Sequence, residues 1–257
     1  MNRINKLFQQ NRGKILSVFY TAGFPQRDDT VAIAQELEKA GADMIEIGIP
    51  FSDPVADGPV IQQSNKVALD NGMNVKLLLE QIREIRKTVN LPILLMGYLN
   101  PVLQYGIEKF CTDARQAGVD GLILPDLPLR EYETEYKSLF EQNNLFNIFL
   151  ISPTTSEERI RQIDSLTNGF IYAVSASSTT GARNGFSSEQ ETYFKKLKQL
   201  QLKKPFLIGF GISNKATFLT ACEYGAGAIV GSSFITLLRD TSVTSTAIKQ
   251  FVHDFIN

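Results

Sequence analysis

The 257-residue chain contains one histidine, two cysteines and no tryptophan, and these scarcities close off particular kinds of chemistry. His253, the sole histidine, lies near the C-terminal end in what reads as a surface helix. Serine–histidine–aspartate and cysteine–histidine machinery both need such a base beside the nucleophile. Zinc sites would lose their usual nitrogen ligand. No metal is therefore expected, and acid–base work falls to carboxylates. Cys111 and Cys222 both sit in expected helices, where a small buried hydrophobe is the reading rather than a disulfide or a catalytic thiol. No stretch approaches the ~18 apolar residues of a membrane span. After Met1, the residues Ile4, Leu7 and Phe8 fall at helical spacing instead of forming the apolar run of a signal peptide. A cytoplasmic location is expected, with no membrane contact. The formal net charge is −1 with no run of like charges, which gives no footprint for nucleic acid. An anionic ligand must be held by local groups.

What is present is an ordinary globular composition, 43% hydrophobic and 21% charged, long enough for one large domain. Short apolar segments rich in strand formers occur at residues 15–21, 44–49, 93–96, 122–124, 146–151, 170–174, 205–208 and 228–230, each closed by Gly, Pro, Ser or Asn. Helical stretches separate them. Residues 74–87 are the clearest, with Val75, Leu78, Leu79, Ile82 and Ile85 on one face. Three segments share one turn logic: Lys39-Ala40-Gly41-Ala42-Asp43, Gln116-Ala117-Gly118-Val119-Asp120 and Glu223-Tyr224-Gly225-Ala226-Gly227. Each is expected to end a helix on a left-handed glycine and enter a strand within two or three residues. About eight such units over roughly 250 residues predict a closed (β/α)8 barrel, the TIM-barrel fold, rather than an open doubly wound sheet. An additional helix precedes it, and residues 1–257 form a single barrel domain.

Active sites of such barrels lie at the C-terminal ends of the strands. The residues placed there include Thr21, Glu46, Asp53, Asp57, Asn100, Asp126, Tyr172 and two glycine-bearing turns, 209–211 and 231–233. Glu46 interrupts an otherwise apolar strand, where an ionised carboxylate costs several kcal/mol or escapes by raising its pKa. A carboxylate salt-bridged at the strand end is the structural alternative. The turns after strands seven and eight offer backbone N–H groups, the Ser232 hydroxyl and a helix N-terminus, the usual barrel phosphate site. Residues 175–188 are rich in Ser, Thr, Gly and Ala with no hydrophobic period, and are read as a lid. No lysine occupies a strand end for Schiff-base chemistry. Carbon–carbon cleavage, isomerisation and epimerisation by acid–base residues all remain open, as does a second phosphate-binding barrel activity such as sugar-phosphate epimerisation.

The motif Ile-Glu-Ile-Gly-Ile-Pro-Phe-Ser-Asp-Pro-Val-Ala-Asp-Gly-Pro at 45–59, with Gly-Tyr-Leu-Asn-Pro at 97–101, Leu-Pro-Asp-Leu-Pro at 124–128 and Gly-Phe-Gly-Ile-Ser at 209–213, resembles the tryptophan synthase α-subunit family in order and spacing. The resemblance covers nearly the whole chain. It implies a lyase that cleaves indole-3-glycerol phosphate to indole and glyceraldehyde 3-phosphate by retro-aldol chemistry. It further implies that indole passes to a pyridoxal-phosphate-dependent β subunit in an α2β2 heterotetramer, with no cofactor in this chain. Carried over residue by residue, Glu46 would be the general acid/base and Asp57 would hold the indole N–H. Phe19, Tyr172, Thr180, Gly181, Phe210, Gly211, Gly231 and Ser232 would contact substrate, and Asp53, Pro54, Asn100, Pro101, Asp126 and Pro128 would face the β subunit. Some members of the family carry an arginine in the loop after strand six, where this chain reads Ser175-Ala176-Ser177-Ser178-Thr179; Arg183 stands nearby as an alternative. A non-catalytic reading, in which the chain only activates its partner, sits poorly with the presence of both Glu46 and Asp57.

Overall fold

A computed structural model describes residues 1–10, 13–175, 185–241 and 243–256. In chain order the elements are α1 (Arg3–Gln9), β1 (Ile15–Thr21), α2 (Asp29–Ala40), β2 (Met44–Gly48), α3 (Pro59–Asp70), α4 (Val75–Ile85), β3 (Ile93–Met96), α5 (Leu99–Tyr105) and α6 (Ile107–Ala117). They continue with β4 (Gly121–Ile123), α7 (Leu129–Glu131), a π-helical turn (Tyr132–Tyr136), α8 (Lys137–Gln142), β5 (Phe146–Ile151), α9 (Glu157–Leu166) and β6 (Ile171–Val174). The chain ends with α10 (Ser188–Gln199), β7 (Phe206–Gly209), α11 (Lys215–Tyr224), β8 (Gly227–Val230), α12 (Ser232–Asp240) and α13 (Ser245–Ile256). The strands run in sequential order and β1 pairs with both β2 and β8, all in parallel, which closes the (β/α)8 barrel.

Parallel strands covered by helices need apolar residues on both faces, and two buried clusters result. One lies between the barrel and the helices, with Leu16, Val18, Ile45, Ile47 and Leu95 on the strand side and Leu37, Ile82, Phe110 and Phe194 on the helix side. The other fills the barrel itself with Ile15, Met44, Leu94, Ile123, Ile148, Phe170, Leu207 and Ile229. Ile4 and Leu7 of α1 join this inner cluster, so the leading helix stoppers the barrel at the end where the strands begin. Amphipathic α4 buries Leu78, Leu79, Ile82 and Ile85 as its spacing predicts, and Asn74 caps it by accepting from the Leu77 N–H.

The turn logic holds at two of its three places. Gly41 and Gly118 are left-handed, with φ of 98° and 95°, whereas Gly225 is extended at φ −107°. Its glycine answers a close approach instead: a Cβ there would lie 2.8 Å from the Phe206 carbonyl oxygen. The helix expected to start at Asn100-Pro101 is two helices, broken at Gly106 with φ 90°. Asp28 stands at the N-cap of α2 without a capping bond from its side chain. Among the described residues no helix is long and apolar enough to cross a membrane. His253 lies exposed on α13. Cys111 is buried, Cys222 partly so, and burial pushes both thiols up to about 12, which suits inert hydrophobes.

Candidate active site

A cavity of about 740 Å³ opens at the C-terminal ends of the strands. Phe19, Gly48, Met96, Leu150, Tyr172 and Ile229 form its floor, and the loops carrying Asp57, Tyr98, Phe210, Gly211 and Gly231 to Ser233 form its walls. Its described lining includes no lysine, arginine or histidine. Among the described residues, what it offers an anion is backbone amides, hydroxyls and the side-chain amides of Asn65 and Gln190.

Glu46 faces the barrel interior from the middle of β2, in register with Phe19 of β1 and Leu94 of β3. It is fully buried and is not among the residues that line the cavity, deeper than the strand-end position expected for it. Among the described residues no arginine or lysine pairs with it, and the groups that set its pKa are its burial and Ser17, not the salt-bridge partner of the structural alternative. The Ser17 hydroxyl donates to Glu46 Oε1 at 2.7 Å, and among the described residues Oε2 has no partner. Desolvation raises its pKa to about 8, against the pull of the Ser17 hydrogen bond. Ser17 escaped the sequence reading, although a signal existed: it is the polar residue of an apolar strand, beside the strand whose polar residue is Glu46.

Asp57 is half-buried in the loop before α3. The Tyr98 hydroxyl donates to its carboxylate at 3.3 Å and accepts from the Ala56 N–H at 2.9 Å, which ties the Asp57 loop to the end of β3. Desolvation raises Asp57 to about 6, opposed by the bond from Tyr98. The two carboxyls are thereby pushed apart, so that at neutral pH Glu46 is largely protonated and Asp57 largely ionised. Such a separation is how one site assigns an acid and an anion.

Tyr172 lies across the barrel from Glu46, buried, and desolvation first, then the Glu46 and Asp57 charges, hold its hydroxyl well above the usual range. Its ring meets that of Phe210 edge-on at 6.2 Å. The room it occupies depends on Gly209, where a Cβ would stand 2.3 Å from the Tyr172 hydroxyl oxygen. Gly209→Ala is therefore expected to displace Tyr172 and lower kcat/KM at least about ten-fold with the barrel still folded; steady-state kinetics beside a thermal melt checks it.

At the ends of β7 and β8, Phe210 and Gly211 both take left-handed backbone, φ 65° and 74°, and α12 begins after Gly231 with no side-chain cap. Ser233, in the first turn of α12, lines the cavity, and its hydroxyl is buried with no partner among the described residues. Unlike α12, α11 is closed by a capping box between Asn214 and Thr217. Orphan amides, an orphan hydroxyl and the positive end of a helix dipole suit a phosphate. Ser232 is exposed at the same turn. Thr180, Gly181 and Arg183 lie outside the described residues.

Of the residues assigned to a partner face, Asp53, Asn100, Asp126 and Pro128 are exposed, Pro101 is partly so and Pro54 is buried. Both Asp126 carboxylate oxygens accept from the Leu99 N–H, at 2.9 and 3.1 Å, which joins the loop after β4 to the start of α5.

Fold and cavity define a (β/α)8-barrel enzyme whose hydroxyl- and amide-lined pocket stands over a buried, unpaired carboxyl. The family model for the tryptophan synthase alpha chain matches residues 4–255, and the chain belongs to that family. Its reaction is the lyase reaction, cleavage of indole-3-glycerol phosphate to indole and glyceraldehyde 3-phosphate in tryptophan biosynthesis. The chain is 55% identical over 254 residues to the tryptophan synthase alpha chain of Flavobacterium psychrophilum, covering 99% of each chain. It is 52% identical to that of Bacteroides thetaiotaomicron, over 96% of this chain and 97% of the relative. The crystal structure of tryptophan synthase subunit alpha from Legionella pneumophila superposes with a TM-score of 0.86 at 36% identity, over 98% of this chain and 99% of the other. Mycobacterium tuberculosis tryptophan synthase gives 0.88 at 30% identity, over 99% and 96%.

Proposed function

We propose that Glu46 carries both proton transfers of the cleavage and that Asp57 stabilises the charge that appears between them. The observation that carries this reading is the environment of Glu46: buried, held by one oxygen, with Oε2 unpartnered and a pKa raised to about 8. A carboxyl that arrives protonated can deliver its proton to indole C3. The ring nitrogen then bears positive charge, and its N–H is held by the Asp57 carboxylate. The bond from C3 to the glycerol carbon breaks, its electrons return to the ring, and the hydroxyl on that carbon becomes the aldehyde as its proton passes to the Glu46 carboxylate. Atoms and charges balance, and Glu46 ends protonated, ready for the next turnover. Phe19 and Tyr172 supply apolar surface for the indole at the floor. Gly211, Gly231 and Ser232 hold the phosphate, with Gly181 assigned to the same role, and Thr180 to substrate contact, from the sequence alone.

Asp57→Asn keeps the shape and removes the charge, and turnover is expected to fall about 10²-fold or more; indole release by the folded variant at the wild-type rate would remove Asp57 from the mechanism.

The protein works in the cytoplasm and hands indole to a β subunit in an α2β2 assembly. The partner face runs through Asp53, Asn100, Pro101, Asp126 and Pro128, and two apolar side chains on it, Val55 at 86% and Leu103 at 46% exposure, support docking there. Pyridoxal phosphate belongs to that partner: the cavity of this chain has no lysine among its described lining to form a Schiff base. Indole release from indole-3-glycerol phosphate, measured with and without a β subunit, tests activity and assembly together.

A further inference from the structure

Phe210 is a non-glycine residue held at φ 65° beside the cavity, a conformation that persists only where neighbours enforce it. The neighbours that enforce it come from β6 and α10. The Ser175 hydroxyl, at the end of β6, donates to the Phe210 carbonyl oxygen at 2.6 Å. Ser175 is in turn held from α10, where the Gln190 side-chain amide donates to the Ser175 carbonyl at 3.2 Å and reaches its hydroxyl at 3.4 Å. The Gln190 orientation is fixed, because its other end accepts from the Ser187 N–H at 2.8 Å, so the oxygen faces Ser187 and the NH2 faces Ser175. Ser175 is buried.

In a trans peptide the carbonyl and the following N–H point in opposite directions. Anchoring the Phe210 carbonyl on Ser175 therefore turns the Gly211 N–H away from β6. Among the described residues no acceptor meets that N–H, and Gly211 lines the cavity beside the uncapped start of α12.

We propose that Ser175, braced by Gln190, is a positioning residue that fixes the Phe210–Gly211 peptide with its N–H presented to the phosphate of the substrate. This inference rests on the phosphate reading of that wall. Ser175 touches no reacting atom, so its loss weakens ground-state and transition-state binding together and leaves the proton transfers in place.

The test compares wild type with Ser175→Ala, using indole-3-glycerol phosphate as substrate and glycerol 3-phosphate as competing probe. With one orienting hydrogen bond removed, KM and the inhibition constant of glycerol 3-phosphate should rise together by up to about ten-fold, while kcat stays within about two-fold. A purely structural role would lower kcat and melting temperature without that paired rise. Ser175→Cys, with similar volume and a weak donor, should fall between the two and replaces the alanine variant if that one does not fold. Wild-type values of KM and of the inhibition constant in either folded variant would overturn the positioning role while leaving the phosphate wall intact. Failure of glycerol 3-phosphate to compete in the wild-type protein would instead overturn the phosphate reading, and this inference with it.

Discussion

Glu46→Gln is expected to lower indole release from indole-3-glycerol phosphate by about 10²–10⁴-fold, the range spanned by a positioned general acid or base. Glutamine keeps the shape and can still accept from the Ser17 hydroxyl, so substrate binding should survive and the loss should fall on kcat. The same substitution has a stability signature that follows from burial. The Glu46 carboxyl holds its proton up to about pH 8 in the folded protein but only to about pH 4.3 in the unfolded chain. The folded state therefore binds the extra proton between these values, and wild type loses stability as pH rises through that window, by up to about 1.4 kcal/mol per unit. Glutamine has no proton to lose. The stability of Glu46→Gln relative to wild type should accordingly grow from pH 5 to pH 8 and level off above it. Denaturant melts at pH 5, 7 and 9 measure this directly, and a gap independent of pH would mean that Glu46 ionises in the folded protein as easily as in water. Full turnover by the folded variant would remove Glu46 from the proton transfers.

The residues that announced themselves in the sequence are those whose type conflicts with their local setting. A glutamate inside an apolar strand and glycines clustered after the last two strands are visible without coordinates, because burial and strand ends can be inferred from the apolar runs around them. Strands bounded by strong breakers were legible to the residue: Ile15–Thr21, Ile93–Met96 and Phe146–Ile151 coincide with the expected segments. Where the backbone is decided by contacts across the fold, the sequence was silent. Gly225 looks like its counterparts at Gly41 and Gly118, but the Phe206 carbonyl decides its conformation. The break at Gly106 falls inside a continuous helical pattern. Tyr98 and Ser175 are ordinary polar residues until elements 41 and 35 positions away bring them to Asp57 and the Phe210 carbonyl. Tertiary hydrogen bonds leave no period to read.

The largest loss of stability is expected at the opposite end of the barrel, at Asp120. Its carboxylate accepts from Arg86 at 2.6 Å, from Arg3 at 3.1 Å and from the Ile93 N–H at 2.9 Å, with 4% side-chain exposure against 10% for Arg86 and 40% for Arg3. Arg86 also donates to the carbonyls of Gly118, Val89 and Leu91, and desolvation lowers it to about 10 despite the Asp120 charge. Asp120→Ala leaves that guanidinium buried without its counter-charge, which costs about 3–5 kcal/mol. For a chain of this size that corresponds to a fall in Tm on the order of 10 °C. Arg3→Ala should cost at most about 1 kcal/mol, because an exposed partner is screened by water. Arg86→Met in the Asp120→Ala background should recover part of the loss, since it removes the stranded charge. Once folded, Asp120→Ala should cleave substrate at the wild-type rate, because this face of the barrel carries stability and the opposite face carries chemistry. Thermal melts of the two single variants and the double variant decide the point: an Asp120→Ala melt within about 2 °C of wild type would show that water reaches Arg86 and that the pair is not a buried one.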